Sequence, residues 1–106
     1  MYSIKIAEQF SETPGGRYQK EGPFSGEEFR EKFLIPKYRE AKEASSVLEI
    51  DLDGVYGYPT SFLDEAFGGL AIAEKSHSVM KNIRLISNNQ PSLVDLIKKI
   101  VQDVSF

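Results

Sequence analysis

Cysteine is absent from this chain, histidine occurs once, and no apolar run approaches the thickness of a bilayer. Without cysteine there are no disulfides, no thiolate zinc sites and no cysteine nucleophile. That absence suits a reducing compartment, and a cytoplasmic location is the expectation. The apolar stretches are short and interrupted, far below the ~20 residues a membrane helix requires. Met1–Lys5 lacks the layout of a signal peptide, because alternation begins at once. A surplus of positive charge is also missing: 13 Lys and Arg face 16 Asp and Glu, a net charge of −3. Such a balance leaves no electrostatic footprint for nucleic acid. The single histidine, His77, sits beside Lys75 and Ser76 and cannot build a metal site alone, so an exposed position is expected. Neither a metal nor a cofactor is implied.

What the chain does have is the composition of one folded domain. Its 106 residues are 41% hydrophobic and 27% charged, with seven Phe and five Tyr to fill a core. This length accommodates a single domain, 1–106, and no second core.

Tyr2 to Ala7 alternates, with Ile4 and Ile6 on one side, and predicts a half-buried strand. The turn-rich Ser11–Gly16 ends it. Arg17–Lys20 is expected to return as a short antiparallel strand. Ser25 followed by Glu28 has the spacing of a capping box and opens a helix. That helix carries Phe29, Phe33 and Leu34 on one face. It should run over 26–34, kink, and continue from Pro36 to about Ala44, with Pro36 in the first turn of the continuation. Val47–Leu52 reads as the clearest strand, with Leu48, Ile50 and Leu52 on one face. Ser61 is expected to cap the next helix, with Asp64 completing the box and Phe62, Leu63, Ala66, Phe67, Leu70 and Ala71 buried. Gly68–Gly69 inside it calls for a close backbone approach, expected toward the sheet. Ile83–Ser87 reads as the last strand. Ser92 is expected to cap a final helix whose stripe runs from Leu93 to Val104. The predicted architecture is α/β: a small mixed four-stranded sheet with three helices, one kinked, packed mainly on one face. The strand–helix alternation of the second half demands right-handed crossovers.

Ile50-Asp51-Leu52-Asp53-Gly54-Val55, a short loop, Thr60-Ser61 and a helix rich in small residues together resemble the STAS fold. Anti-sigma-factor antagonists and the cytoplasmic domains of sulfate transporters share that fold. A fuller resemblance, spanning nearly the whole chain, is to a STAS-like family of bacterial and phage proteins with no assigned function. Its carriers are Pro14-Gly15-Gly16-Arg17-Tyr18, Gly22-Pro23-Phe24-Ser25-Gly26-Glu27 and Ser61-Phe62-Leu63-Asp64-Glu65-Ala66-Phe67-Gly68. The antagonist resemblance implies a regulatory module that binds a histidine-kinase-like ATPase and is phosphorylated by it at the helix start. Thr60 occupies the phosphoacceptor position and Ser61 follows it. Pro59 replaces the usual acidic residue before the acceptor, and Phe62 replaces the usual Gly after the hydroxyl pair. A domain can keep the shape of the binding surface and lose the switch.

The candidate sites follow from these readings. Tyr56 and Tyr58 lie in the loop after the central strand, where open α/β sheets place their ligands. As aromatics with polar tips, they either anchor a partner or fold back over the core edge. Together with Thr60, Ser61, Asp64 and Glu65 they form the expected partner-binding set. A phosphate at Thr60 or Ser61 would add about −1.5 to −2 charge at a helix start; the alternative is that Ser61 is only a cap. Gly15, Gly16, Arg17 and Ser25 form a second candidate, an anion or nucleotide sensor built on backbone amides and one guanidinium. Against it, Arg17 can simply pair with an acidic neighbour. Asp51, Asp53, Asp64 and Glu65 assemble no convincing catalytic carboxylate pair, so a non-enzymatic role is expected. The oligomeric expectation is a monomer or a weak homodimer.

Overall fold

The computed structural model describes residues 2–106. Strand β1 (Tyr2–Lys5) runs without a turn into the short helix α1 (Ile6–Gln9). Helix α2 spans 26–43, and β2 is Leu48–Asp51. Helix α3 spans 60–74, β3 is Ile83–Ile86, and α4 is Ser92–Asp103. Two 3₁₀ turns, Gln19–Glu21 and Val79–Asn82, complete the described residues.

The sheet has three strands in the order β1-β2-β3, and both pairings are parallel. Ile4, Ile50 and Leu85 stand in one row across it, and Lys5, Asp51 and Ile86 in the next. Each crossover advances one strand in the same direction, so right-handed connections put α2 and α3 on the same face. Ile4, Leu48, Ile50 and Ile83 are buried under them. Ser3, Lys5, Glu49, Asp51 and Arg84 line the other face, where Arg84 and Glu49 pair across strands at 3.7 Å.

The expected four-stranded mixed sheet is therefore corrected to three parallel strands. Arg17–Lys20 forms no strand, because its backbone is engaged elsewhere. The Gly16 and Arg17 carbonyls accept from the amides of Gly26 and Glu27 at the start of α2. Tyr18 N donates to Glu21 Oε1, closing the 3₁₀ turn. Alternation from Tyr2 also stops early: Ile6 begins α1, and its carbonyl accepts from Phe10 N and Ser11 N. Ile6 is buried all the same.

Both long helices contain a π-helical turn, at Arg30–Leu34 in α2 and at Asp64–Gly68 in α3. In α2 this turn lies where the sequence predicts a kink. Pro36 lacks the amide that a regular helix would use and crowds the preceding turn. The wider turn just before it, in which Ile35 N reaches back to Arg30 O, accommodates the ring, and the helix continues to Glu43. Ser25 caps α2 as its spacing predicts, its hydroxyl accepting from Glu28 N at 3.0 Å. Ser61 and Ser92 do not cap. They lie inside α3 and α4, whose N-cap positions are Pro59 and Pro91, neither with a side-chain cap bond. Both helices open on proline, whose fixed φ suits a helix start.

One core joins these layers. Phe29, Phe62 and Phe67 are fully buried, and the half-buried Phe10 touches Phe24, Phe29, Phe33 and Phe62 with centroids 5.2–6.0 Å apart. Where α2 crosses α3, a Cβ on Gly26 would lie 2.5 Å from Phe62 O, so only glycine fits. Gly68 and Gly69 serve close approaches, though not to the sheet. A Cβ on Gly68 would meet Ile100 of α4 and Val104 just past its end, and one on Gly69 would meet the Arg30 side chain at 2.5 Å. α3 needs these small residues because it is wedged between α2 and α4.

Candidate functional site

In a parallel sheet all strands finish at the same end, and here three loops converge there. The loop after β2 begins at Leu52, whose amide donates to Ile86 O at 2.8 Å. Asp53 then ties this loop to the exit of β3. One carboxylate oxygen accepts from Asn88 N and Asn88 Nδ2, both at 3.1 Å, and the other accepts from Asn89 N at 2.9 Å. These donors, the Asn89 amide foremost, hold the Asp53 carboxyl below its ordinary value. Asp51 Oδ1 in turn accepts from Asp53 N at 2.9 Å. Gly54 adopts φ +86°, a left-handed conformation that favours glycine, and packs against Ala7.

The two tyrosines of this loop, equal candidates in the sequence, part ways here. Tyr58 folds over the core edge: its ring lies 6.0 Å from Phe62, and its hydroxyl donates to Leu52 O at 2.8 Å. Burial, then the charges of Asp51 and Asp53, push its phenol well above the ordinary value. Tyr56 is fixed only by its backbone, whose amide donates to Glu12 O at 2.9 Å. Its side chain is 86% exposed. The loop therefore has two fixed points, and the ring between them reaches into solvent.

Thr60 is the first residue of α3 and is exposed; Ser61 is half-buried in the same turn. With Pro59 at the cap position, neither hydroxyl serves as the cap. Asp64 and Glu65, expected on the rim of a partner surface, form ion pairs with Arg17 and Arg30. Arg17 Nη1 lies 2.7 Å from Asp64 Oδ2 and 3.5 Å from Glu65 Oε1. Arg30 Nη1 donates to Glu65 Oε2 at 2.5 Å and to Glu65 O at 2.8 Å. The hydrogen bond to Asp64 is the main cause that raises Arg17 above its ordinary value. The two π turns are thus bridged, from Arg30, the first residue of one in α2, to Glu65, the second residue of the other in α3.

The anion-site candidates meet the same network. Arg17 faces two carboxylates, Ser25 is fully buried as a cap, and Gly15 N donates to Phe24 O at 2.8 Å. Gly26 N donates to Gly16 O, so the amides of Gly15 and Gly26 are already bonded within the fold. His77 is exposed as expected, with Nε2 2.8 Å from Val104 O and its ring stacked on Phe106 at 4.7 Å. Among the described residues no group of three His, Cys, Asp or Glu side chains is placed to hold a metal.

Sequence reasoning missed two features of this end of the molecule. The Asp53–Asn88 tie joins residues 35 apart and carries no local signal. Glu12, whose carbonyl holds Tyr56, lies in a turn segment that reads only as a breaker. Phe10 did carry a signal: a lone aromatic before a turn, available to staple the loop to the helices.

A parallel three-stranded sheet packed against helices, with a tied loop at the carboxyl end of its central strand, defines a small α/β domain. The chain belongs to a family described as a STAS-like domain of unknown function, whose model matches residues 25–93. The matched span runs from the Ser25 cap to Leu93 in the first turn of α4; β1, α1 and the Gly15–Arg17 segment lie outside it. No curated protein and no solved structure matches the chain. No helix among the described residues is long and apolar enough to cross a membrane.

Proposed function

We propose that this domain is a non-enzymatic regulatory module that docks a protein partner through the loop 54–60 and the first turn of α3. One observation carries the reading: Tyr56 stands 86% exposed on a loop anchored by the Tyr56 N–Glu12 O and Tyr58 Oη–Leu52 O bonds. Holding a large aromatic in water on a fixed backbone gains the fold little, whereas a preformed aromatic anchor costs little to order on binding. Resemblance to anti-sigma-factor antagonists suggests a histidine-kinase-like ATPase as the partner and Thr60 as the acceptor of its phosphate. The exposure of Thr60 and the absence of a capping role for either hydroxyl are compatible with that switch. The alternative of an anion or nucleotide sensor would require Arg17 to leave both Asp64 and Glu65, and no observation favours it.

Tyr56→Ala is the variant that tests the reading, because Tyr58→Ala would disturb the core edge as well. The assay is capture from host lysate with ATP present, followed by mass spectrometry of bound proteins and phosphosites. The captured partner, once purified, should bind Tyr56→Ala about 30-fold more weakly, the loss of roughly 2 kcal/mol expected of a hot spot. Stability should stay within about 0.5 kcal/mol of the parent. Equal affinity of the two proteins for the partner would refute the assignment.

A further inference from the structure

Beside Tyr56 the same end of the sheet holds a trough of about 350 Å³, lined by Lys5, Glu8, Glu12, Asp51 and Asp53, with Gly54 at its edge. Its position outside the carboxyl ends of β1 and β2 is where open α/β sheets receive ligands. Its charge is as telling as its position. One Lys and four acids sum to −3, the net charge of the whole chain. The remainder, 12 basic against 12 acidic residues, balances. All the surplus negative charge of the protein is thus gathered next to its exposed aromatic anchor.

Not all of that charge is satisfied internally. Asp53 accepts from Asn88 and Asn89, and Asp51 from the Asp53 amide. Glu8 and Glu12 are exposed, and Glu8 has only the exposed Lys5 at 3.5 Å, a pair that contributes little in water. The trough and Tyr56 are linked through the Tyr56 N–Glu12 O bond, so the two surfaces keep a fixed relation.

We propose that this surface receives a basic, extended segment of the partner protein, an Arg or Lys side chain entering the trough while neighbouring apolar atoms cover Tyr56. The proposal rests on the reading of the 54–60 loop as the docking surface and names the chemistry of what docks there. Complementary charge supports it: a cation meets carboxylates in the trough, and an arginine beside it can stack on the Tyr56 ring. Lys5, Glu8 and Glu12 lie outside the span matched by the family model.

The probe is a hexa-arginine peptide, titrated into the isotope-labelled domain and followed by amide NMR shifts, with hexaglutamate and spermine as controls. Saturating shifts are expected in 5–12 and 54–57, fading as salt shortens the screening length. The Glu8→Gln/Glu12→Gln double variant, altered only at exposed side chains, should bind the peptide about tenfold more weakly at low salt. Absence of shifts there, or shifts unchanged in the double variant, would overturn the proposal. Spermine binding as tightly as the peptide would overturn it in favour of a free polyamine. With the captured partner, loss of affinity in both Tyr56→Ala and the double variant supports the proposal. Loss in Tyr56→Ala alone overturns the trough assignment and leaves the loop reading standing; loss in neither overturns both.

Discussion

Removing one oxygen atom, by Tyr58→Phe, tests how the candidate loop is held. The Tyr58 hydroxyl is the donor that reaches Leu52 O, at 2.8 Å, and Leu52 is only 2% exposed. Its own amide is spent on Ile86 O. Phenylalanine preserves the packing against Phe62 and leaves a buried carbonyl without its partner, which costs about 1–3 kcal/mol. For a domain of this size the melting temperature should fall by about 4–12 °C. Urea denaturation should show a lower midpoint with an unchanged slope, since the surface exposed on unfolding is the same. The pH dependence has a definite sign. In the fold the Tyr58 phenol titrates well above its ordinary value of 10.0, chiefly through burial. The neutral hydroxyl's contribution is therefore fully present below pH 10 and declines as pH rises from there through the folded value. The stability gap between parent and variant should hold constant from neutral pH to about 10 and narrow beyond it. A gap under about 0.3 kcal/mol at neutral pH would refute this account of the loop.

Two further substitutions probe the scaffold of the same site. Gly26→Ala places a methyl 2.5 Å from Phe62 O and 3.0 Å from Glu65 Cβ. Crowding against backbone should destabilise by about 1–3 kcal/mol despite alanine's better helix propensity, measured by urea unfolding. A stabilised Gly26→Ala would mean that α2 and α3 do not cross as described. Asp53 has its carboxyl lowered from the ordinary 3.8, so its tie to Asn88 and Asn89 is present above that value and lost as pH falls through the lowered one. Amide exchange at Asn88 and Asn89 should remain protected to pH values below 3.8. Asp53→Asn should remove that protection at every pH, and unchanged protection would show that the loops are held by something else.

Much of the fold is legible because the responsible signals are local. Leu48, Ile50 and Leu52 alternate and are buried together, and Ser25 with Glu28 announces the start of α2 correctly. The buried face of α3, from Phe62 to Ala71, also follows directly from helical spacing. The first quarter of the chain is less readable, because its backbone bonds go to a helix start instead of a neighbouring strand. Nothing in Arg17-Tyr18-Gln19-Lys20 tells that Gly16 O and Arg17 O will meet Gly26 N and Glu27 N. The π turns escape for a related reason: a wide turn shifts the helical phase by one residue, and periodicity then averages over the fault. Asp64 shows how a local pattern misleads. Its spacing from Ser61 suits a capping box, yet its carboxylate goes to Arg17, 47 residues away. At the candidate site, the sequence located the loop and its aromatics but had no means to separate Tyr56 from Tyr58. That distinction depends on where Leu52 O points once β2 is in place.

The position of α3 has a kinetic consequence. Its glycines admit Arg30 of α2 on one flank and Ile100 of α4 with the adjoining Val104 on another, while Phe62, Phe67 and Leu70 fill the core. Neither α2 nor α4 can complete its packing until this helix has formed, and the central β2 lies between two edge strands that reach it only through crossovers. The order of assembly this packing predicts has α3 and β2 in the folding nucleus and α4 docking late, and φ-values near zero in α3 would refute it. Damage to the middle of the chain slows the search for the native state, and damage to its C-terminal helix shortens the native state's lifetime.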